Sequence, residues 1–418
     1  MRVKTILNRI EKHAGFVYTK ASWVESGGGE GVIEVSVRAR ANGQAICSGC
    51  RRRAPGYDLL GERRFAYVPL WGIAVFLVYT MRRVQCRRCG VRVEQVPWAS
   101  GKRQLTWSYL WFLARWARRL SWSEVGRIFG TSWTTVFRAV QGAVEWGRAH
   151  ASFAAIEAIG VDEVQWRRGH KYLTVVYEIS AQCRRLLWVG EHREEATLRA
   201  FFEWLGPVRA AAIRYVCSDM WQPYLTVIHE QIPRAIHVLD RFHIVQKMNK
   251  AIDEVRAQEA RTLKQSGGEP VLTHTRWCLL KRPENLTAKQ ANRLQELLRY
   301  NLRTVRAYLL KEDFQFLWYY ASAGWAGRFL DAWCRRAMRS RIEPMKKIAR
   351  SLRVHRRLIL NWFRARELIA LGAVEGFNNK LKLTTRKSYG FRVFRVIQVA
   401  LYHALGNLPE PEGTHRFC

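Results

Sequence analysis

The sequence predicts a multidomain protein of mixed α+β and α/β class, and three observations support this. The chain has 418 residues, which is too many for one ordinary hydrophobic core. Its apolar residues alternate as in strands over the first 100 residues and then take helical spacing between residues 104 and 150. From residue 155 onward, predicted strands are followed by alternating strands and helices, which is typical of an α/β domain.

The chain is basic along its whole length. Lys and Arg total 70 against 34 Asp and Glu, which gives a formal net charge of +36. A globular protein with this excess usually binds a polyanion, because neutralising phosphate groups releases condensed counterions. The charge therefore favours a nucleic-acid partner over a ribosome-associated, membrane-surface or merely basic protein.

The N-terminal residues lack the apolar core of a signal peptide. Residues 65–81 carry no charge, but Pro69 and Gly72 interrupt them, and the stretch is slightly short for a membrane span. We interpret it as two short strands joined by a turn. Nine cysteines without a secretion signal indicate a reducing compartment, so we expect a cytoplasmic protein without membrane contact.

Two Cys-X-X-Cys pairs stand in the strand-rich region. Cys47 and Cys50 form the first, and Cys86 and Cys89 form the second. Two such pairs around a predicted strand pair bring four thiolates within tetrahedral reach of one structural Zn²⁺, which predicts a zinc ribbon; four unrelated cysteines are the alternative. Basic residues near the second pair are expected to contact a phosphate backbone: Arg82, Arg83, Arg87 and Arg88.

Residues 104–150 predict three helices. Ser121 and Glu124 form a capping-box pattern at the start of the second helix, and Gly130 ends it. This rhythm predicts a helix-turn-helix, with a plain helical hairpin as the alternative. In the third helix we expect Thr134 and Arg138 to contact DNA.

The α/β region has the order of elements of an RNase H-like domain, three strands in a meander and then strands alternating with helices. The predicted strands are residues 155–164, 171–180, 184–190, 213–217 and 235–239, with helices over 194–205, from 221 and from 241. Residues 265–368 predict an all-helical insertion, and a final helix begins near Gly372.

Two aspartates lie in or directly after apolar strands, Asp162 and Asp219. An unpaired carboxylate is costly there, and two-metal phosphodiester cleavage needs hard oxygen ligands for Mg²⁺ or Mn²⁺. Both are therefore candidate metal ligands, although Asp219 is also placed to cap a helix. Glu163 rivals Asp162, but strand alternation directs it to the opposite face. Asp240 follows a strand as Asp219 does, and capping the next helix is its favoured role.

Glu375 opens the last predicted helix and is the third candidate ligand. Glu375, Asn379 and Lys382 share one helical face at spacings of four and three. A solvated surface glutamate is the competing interpretation. Arg386 and Lys387 follow this helix and, with Lys382, are expected to bind DNA; a solvated basic face is the alternative.

These motifs, in this order, resemble the transposases of bacterial insertion sequences of the ISL3 group over nearly the whole chain. Besides the Cys pairs and the helix-turn-helix, the matching segments are Gly-Val-Asp-Glu at 160–163, Gly-His-Lys-Tyr at 169–172, Ser-Asp-Met-Trp at 218–221 with Tyr224, Asp-Arg-Phe-His at 240–243, Val-Glu-Gly-Phe-Asn-Asn-Lys at 374–380 and Tyr-Gly-Phe at 389–391. The resemblance implies a zinc ribbon and helix-turn-helix for DNA binding, and an RNase H-like domain whose Asp-Asp-Glu triad is Asp162, Asp219 and Glu375. These three would hold two Mg²⁺ or Mn²⁺ ions.

Four residues in or near the matching segments are accessory candidates for positioning substrate: His170, Asp240, His243 and Asn379. For the two histidines a structural role is an equal alternative. The chain also departs from the family pattern. Leu371 stands where many relatives carry Asn, which leaves open whether this copy is fully active, and Glu178 stands where relatives often carry Asp.

The expected function is a transposase that binds the terminal inverted repeats of its own element, cleaves DNA strands and transfers them to target DNA. A homodimer or larger assembly on double-stranded DNA is expected, since two element ends must meet, in the bacterial cytoplasm and associated with the nucleoid. The alternatives are a non-catalytic DNA-binding regulator and a structure-selective RNase H-like nuclease. The expected domains are a zinc ribbon (1–100), a helix-turn-helix (101–152), a catalytic domain in two parts (153–264 and 369–408), a helical insertion (265–368) and a frayed tail (409–418).

Overall fold

The computed structural model describes residues 3–25, 31–153, 156–366, 368, 372–388 and 390–412. Leu371 and Tyr389 lie outside the described residues. The chain divides into two compact units, one formed by residues 1–152 with 383–418 and the other by residues 153–382.

A five-stranded sheet forms the first part of the first unit, with strand order β1-β2-β4-β3 and β5 paired to β4. Strands β2 and β4 are parallel, and the other pairs are antiparallel. The nearly fully buried Trp98 contacts the rings of Phe16, Phe65 and Tyr79 edge-on. The elements are α1 (Val3–Ile10), β1 (Phe16–Glu25), β2 (Gly31–Ala39), β3 (Gly56–Leu70), β4 (Ile73–Cys86) and β5 (Gly90–Val93).

The predicted hairpin over residues 65–81 is confirmed, with its turn at Trp71 and Gly72, both at positive φ. The description of its strands as short was wrong: β3 and β4 have 15 and 14 residues, because pairing continues into polar sequence on both sides. Helix α1 was not expected in this region; it buries Leu7.

Three helices follow as predicted: α2 (Trp107–Arg119), α3 (Trp122–Ile128) and α4 (Trp133–His150). The capping box of Ser121 and Glu124 is confirmed. Gly126 lies within α3, where an added Cβ would be 2.7 Å from the carbonyl oxygen of Thr131 in the turn to α4. The close approach of that turn to α3 therefore requires a glycine at position 126.

The C-terminal segment of this unit holds a helix that was not predicted, α17 (Phe394–Leu405), which packs on α4. The chain beyond it is not frayed up to residue 412, because the Glu410 carboxylate lies 2.7 Å from Arg115 and 2.9 Å from Arg118. Tertiary ion pairs that sequence does not reveal therefore hold the tail.

The second unit contains a mixed five-stranded sheet with strand order β10-β9-β6-β7-β8. Strands β6, β7 and β8 are antiparallel neighbours, whereas β6, β9 and β10 run parallel. The elements are β6 (Ala158–Arg167), β7 (Lys171–Ile179), β8 (Arg184–Glu191), α5 (Glu195–Leu205), α6 (Pro207–Ala212), β9 (Tyr215–Ser218), α7 (Gln222–Gln231), β10 (Ile236–Leu239) and α8 (Arg241–Gln265).

Helices cover both faces of this sheet. Ile159 and Val161 of β6 belong to the buried cluster that α5 and α7 complete. On the other face, Gly160 lies against Val374, and Tyr177 stacks on Phe377 with ring centroids 4.6 Å apart. These contacts seat helix α16 (Ala373–Lys387), which α17 (Phe394–Leu405) follows.

The segment between α8 and residue 366 is helical, as predicted. Its fully buried Trp333 and Phe314 share a core with Met248 of α8. The helices are α9 (Arg276–Leu280), α10 (Ala288–Leu297), α11 (Arg303–Gln315), α12 (Ala323–Arg339), α13 (Glu343–Val354), α14 (Arg356–Leu360) and α15 (Trp362–Ala365). Across the part of the chain that the structure describes, no helix combines the length and apolar character needed to cross a membrane.

Candidate active site

Asp162 lies in the middle of β6 with only 3% of its surface exposed. Its Oδ1 accepts a hydrogen bond from the Glu163 N–H at 2.8 Å, and Asn378 of α16 donates to its Oδ2. The Tyr177 hydroxyl donates to Asn378 Oδ1 at 3.1 Å. A chain of hydrogen bonds thus fixes the carboxylate and ties α16 to the sheet.

Asp219 and Asp240 directly follow β9 and β10. Because β6, β9 and β10 are parallel neighbours, the ends of β9 and β10 meet at one edge of the sheet beside Asp162. Asp219 Oδ1 accepts from the Trp221 N–H at 2.9 Å, and Asp240 Oδ1 accepts from the Phe242 N–H at 2.8 Å. Asp240 is the N-cap of α8, as predicted, and Asp219 makes a similar turn while its Oδ2 faces the site.

His243, one turn into α8, lies between two of these carboxylates. Its Nε2 is 3.6 Å from Asp162 Oδ1 and 3.9 Å from Asp240 Oδ2. Burial alone would lower the pKa of His243, but the nearby Asp162 carboxylate and the negative charges of Asp240 and Asp219 raise that pKa to about 9. The imidazole is therefore a cation at neutral pH.

Arg193 lies between two other carboxylates. Its Nη1 is 2.9 Å from Glu163 Oε1 and its Nη2 is 3.8 Å from Asp219 Oδ2. Its guanidinium carbon lies 4.3 Å from the centre of the Trp221 ring. Glu163 is on the face of β6 opposite Asp162, as alternation predicted, yet Asp219 at the strand edge is near both.

Burial and like charge act on the acidic groups together. Burial and the charge of Asp219 raise the pKa of Glu163 to about 7. Burial raises the pKa of Asp219 and that of Asp240, and the charge of Asp162 adds to both shifts. Buried carboxylates that disfavour one another's ionised forms are typical of functional cation sites.

Glu375 lies exposed in the first turn of α16, and its charge contributes to the raised pKa of Asp240. Asn378, which the sequence analysis did not single out, reaches Asp162, whereas Asn379 is exposed. Both asparagines share a helical face with Glu375. Sequence spacing alone therefore had no means to choose between them.

Two separate groups of side chains have the chemistry of metal ligands, the four cysteines of the first sheet and the carboxylates around Asp162. Among the described residues, the one group of three or more His, Cys or acidic side chains with all donor atoms within 4.8 Å is Cys47, Cys50, Cys86 and Cys89. The carboxylate oxygens around Asp162 are farther apart than this, so no three of these described carboxylates lie within 4.8 Å of one another. They supply hard oxygen donors of the kind that Mg²⁺ prefers, in a crowd of like charge that a cation would relieve.

The four thiols come from the segment before β3 and from the β4–β5 turn. Cys50 Sγ and Cys86 Sγ are 3.5 Å apart, close to the spacing of about 3.8 Å that Zn–S bonds of ~2.3 Å give in a tetrahedron. The Gly49 N–H donates to Cys47 Sγ at 3.4 Å. This arrangement fits a closed structural Zn²⁺ site.

The structure places the predicted DNA-contacting residues of the sheet in two environments. Arg82 donates to the buried Glu94 with Nε at 2.9 Å and Nη2 at 2.7 Å, so an internal ion pair holds its charge. Arg83 pairs with Asp58 at the surface. The other two, Arg87 and Arg88, are exposed in the β4–β5 turn.

The predicted DNA-contacting residues on the helices also differ in their exposure and contacts. Arg138 is exposed and Thr134 half-buried near the start of α4, and Lys382 and Arg386 are exposed on α16. Lys387 Nζ donates to the carbonyl oxygens of Ala117 and Arg118 at the end of α2. Lys387 therefore stabilises a helix C-terminus.

Two further residues lie away from the carboxylates. His170 is exposed in the β6–β7 turn at φ 58°, and the register pairs Asp162 with Val175, several residues from that turn. Glu178 is buried in β7 and pairs with Arg185 of β8 at 2.8 Å. The glutamate at this position therefore joins β7 to β8 through an ion pair.

Comparison with known proteins identifies the family. A family model described as "Transposase", for the ISL3 group of DDE transposases, matches residues 159–401. The transposase for insertion sequence element IS1001 of Bordetella parapertussis is 30% identical over 381 residues, covering 90% of this chain and 92% of that protein. The transposase for insertion sequence element IS1557 of Mycobacterium tuberculosis is 30% identical over 427 residues, covering 94% and 92%. Because the family model spans more than half of the chain and the relatives span nearly all of it, this protein belongs to the ISL3 group of insertion-sequence transposases.

Proposed function

We propose that the second unit carries an RNase H-like catalytic domain that cleaves and joins DNA with two divalent ions, Mg²⁺ or Mn²⁺, held by Asp162, Asp219 and Glu375. The observation that carries the proposal is the approach of Asp162, in the middle of β6, to the aspartates that end the two adjoining parallel strands. The strand order β10-β9-β6-β7-β8 supports it. Along the chain, the proposed domain comprises residues 153–264 and 369–408, of which residues 383–408 belong to the first unit, and residues 265–368 are its insertion.

The protein side chains orient the reacting groups. When bound, the two ions supply an activated attacking water or 3′-hydroxyl and stabilise the leaving oxygen. Asn378 fixes the Asp162 carboxylate, and the Trp221 N–H fixes one oxygen of Asp219 and leaves the other facing the site. Protonated His243 offsets part of the negative charge between Asp162 and Asp240.

We propose that the first unit recognises the terminal inverted repeats of the element. Residues 1–100 would act as a zinc ribbon with one Zn²⁺ on the four cysteines, residues 101–152 as a helix-turn-helix, and residues 409–418 as a tail. The basic and polar side chains that remain accessible would contact the phosphate backbone: Arg83, Arg87, Arg88, Thr134, Arg138, Lys382 and Arg386. Internal contacts already hold the charges of Arg82 and Lys387. Since two element ends must be joined, the active assembly would be a dimer or larger.

The test is metal-dependent nicking of a duplex that carries the element's own ends. Asp162→Asn should abolish nicking and leave binding to the duplex intact, while the matched control Asp253→Asn, which alters a carboxylate paired with Arg256 on α8, should cleave normally. Nicking by Asp162→Asn at the wild-type rate would refute the assignment. Binding without cleavage under all metal conditions would instead favour a DNA-binding regulator, and cleavage of branched DNA regardless of end sequence would favour a structure-selective nuclease.

A further inference from the structure

The loop between β8 and α5 brings a fixed positive charge to the proposed metal site. Arg193 lies in this loop, with 28% of its side chain exposed. It contacts Glu163 directly at 2.9 Å and lies farther from Asp219, at 3.8 Å. The face of Trp221 lies 4.3 Å from its guanidinium carbon and limits how far the group can move. The guanidinium therefore lies between Glu163, which is not one of the three proposed metal ligands, and Asp219, which is one.

The pairing of Arg193 and Glu163 is incomplete in the described structure. Arg193 Nε and Glu163 Oε2 are both buried and have no hydrogen-bond partner there. A second basic side chain, Lys247, interacts electrostatically with the same two carboxylates, Asp219 and Glu163. Arginine keeps its positive charge at every pH at which the protein would be assayed, so its effect on a nearby cation site does not depend on titration.

We propose that Arg193 is a resident counter-ion of Asp219 that competes with the divalent ion, and that Glu163 is the anchor that holds Arg193 back from Asp219. This rests on the proposed function, because it takes Asp219 as a metal ligand. The competition is electrostatic: a cation within about 4–6 Å of a carboxylate stabilises the ionised form and repels a second cation there. Glu163 thereby affects metal affinity without binding the metal.

The proposal predicts the sign of three substitutions. Arg193→Gln removes the competing charge and should tighten metal binding about tenfold, the lower end of what one neighbouring charge does to the proton affinity of a carboxylate. Glu163→Gln releases Arg193 toward Asp219 and should weaken metal binding. The double variant removes both charges, so it should bind at least as tightly as the wild type.

The experiment titrates Mn²⁺ into the full-length, zinc-loaded protein at pH 8 without DNA and measures free Mn²⁺ by electron paramagnetic resonance. The matched control is Arg199→Gln, since Arg199 in α5 also pairs with carboxylates, Glu195 and Glu230, away from the site. It should bind Mn²⁺ as the wild type does. Circular dichroism checks that each variant is folded, and Asp219→Asn identifies the signal that belongs to the site.

Each outcome of the Mn²⁺ titration either supports or overturns the proposal. Unchanged or weaker binding by folded Arg193→Gln overturns the proposal. So does a double variant as weak as Glu163→Gln, since Glu163 would then be a ligand itself; this comparison stands even if Arg193→Gln alone does not fold. If the wild type shows no Mn²⁺ binding that Asp219→Asn removes, the proposed metal site and this inference are both overturned. If that binding is present but the substitutions at Arg193 and Glu163 do not change it as predicted, only this inference is overturned.

Discussion

Gly160 is the point at which α16 rests on β6, the central strand of the second unit's sheet. A Cβ added to Gly160 would lie 2.5 Å from Val374 Cγ2 and 3.4 Å from Ile179 Cγ2. Carbon atoms in contact prefer a separation of about 3.5–4.0 Å, so Gly160→Ala must push Val374 away by roughly 1 Å. Val374 is 2% exposed and β-branched, so it has little freedom to change rotamer, and α16 must move with it.

That movement displaces Asn378 and Glu375 together, because both stand on α16. Overpacking of this kind costs about 1–3 kcal/mol of stability, and a displacement of ~1 Å in a catalytic group costs about a hundredfold in rate. We expect Gly160→Ala to lower the single-turnover cleavage rate by that order and leave DNA binding unchanged. The double variant Gly160→Ala/Val374→Ala should recover much of the rate.

Chemical denaturation supplies the second measurement, and Gly376→Ala is the control. Gly376 lies on the same helix with nothing within 4 Å of an added Cβ, so alanine there should leave stability equal or raise it by up to about 1 kcal/mol. Wild-type cleavage by Gly160→Ala, or no recovery in the double variant, would refute the argument that this contact positions α16.

Three further predictions address separate features. Asn378→Ala removes the donor to the buried carboxylate of β6 and should lower cleavage by about 10–100-fold, whereas Asn379→Ala, at an exposed position, should retain wild-type cleavage; similar rates for the two variants would contradict this. Cys86→Ser should abolish stoichiometric zinc in metal analysis and weaken binding to element ends, whereas Cys183→Ser, outside the four-thiol cluster, should retain the zinc; retention by both variants would count against the site. Burial lowers the pKa of His403 to about 3, so between about pH 6.5 and 3 the unfolded state binds a proton that the folded state does not. Stability should therefore fall with decreasing pH by up to about 1.4 kcal/mol per unit from this group, and denaturation between pH 7 and 5 should show a shallower loss for His403→Gln; parallel curves would contradict this.

Local sequence signals predicted those parts of the fold that neighbouring residues determine. The Ser121–Glu124 capping box and the alternation in β2 depend on contacts within a few positions, and the structure contains both. The aspartates after β9 and β10 were found because polar residues that end buried strands stand out in an apolar context. Adjacent parallel strands then bring such residues to one edge.

The contacts that the sequence did not predict are long-range. Asn378 meets Asp162 across 216 positions of chain, and nothing local distinguishes it from Asn379. The position of Arg193 between Glu163 and Asp219 depends on how the loop after β8 returns to the sheet edge, which side-chain periodicity does not encode. Helix α17 and the Glu410 ion pairs follow from tertiary packing in the same way.

The third of the proposed metal ligands has two candidates, Glu375 and Asp240, whose carboxylates have different surroundings. Asp240 is half-buried near His243, which also faces Asp162. Its Oδ1 accepts from the Phe242 N–H and its Oδ2 faces His243, so both oxygens already have neighbours. Glu375 is exposed, and within the described residues its carboxylate makes no hydrogen bond or ion pair. Glu375 stands on α16 three residues before Asn378, which ties this helix to Asp162, so it lies about one helical turn from that asparagine. A ligand that completes a metal site needs free oxygens at a fixed distance, which favours Glu375 and leaves Asp240 as the residue that caps α8 and positions His243.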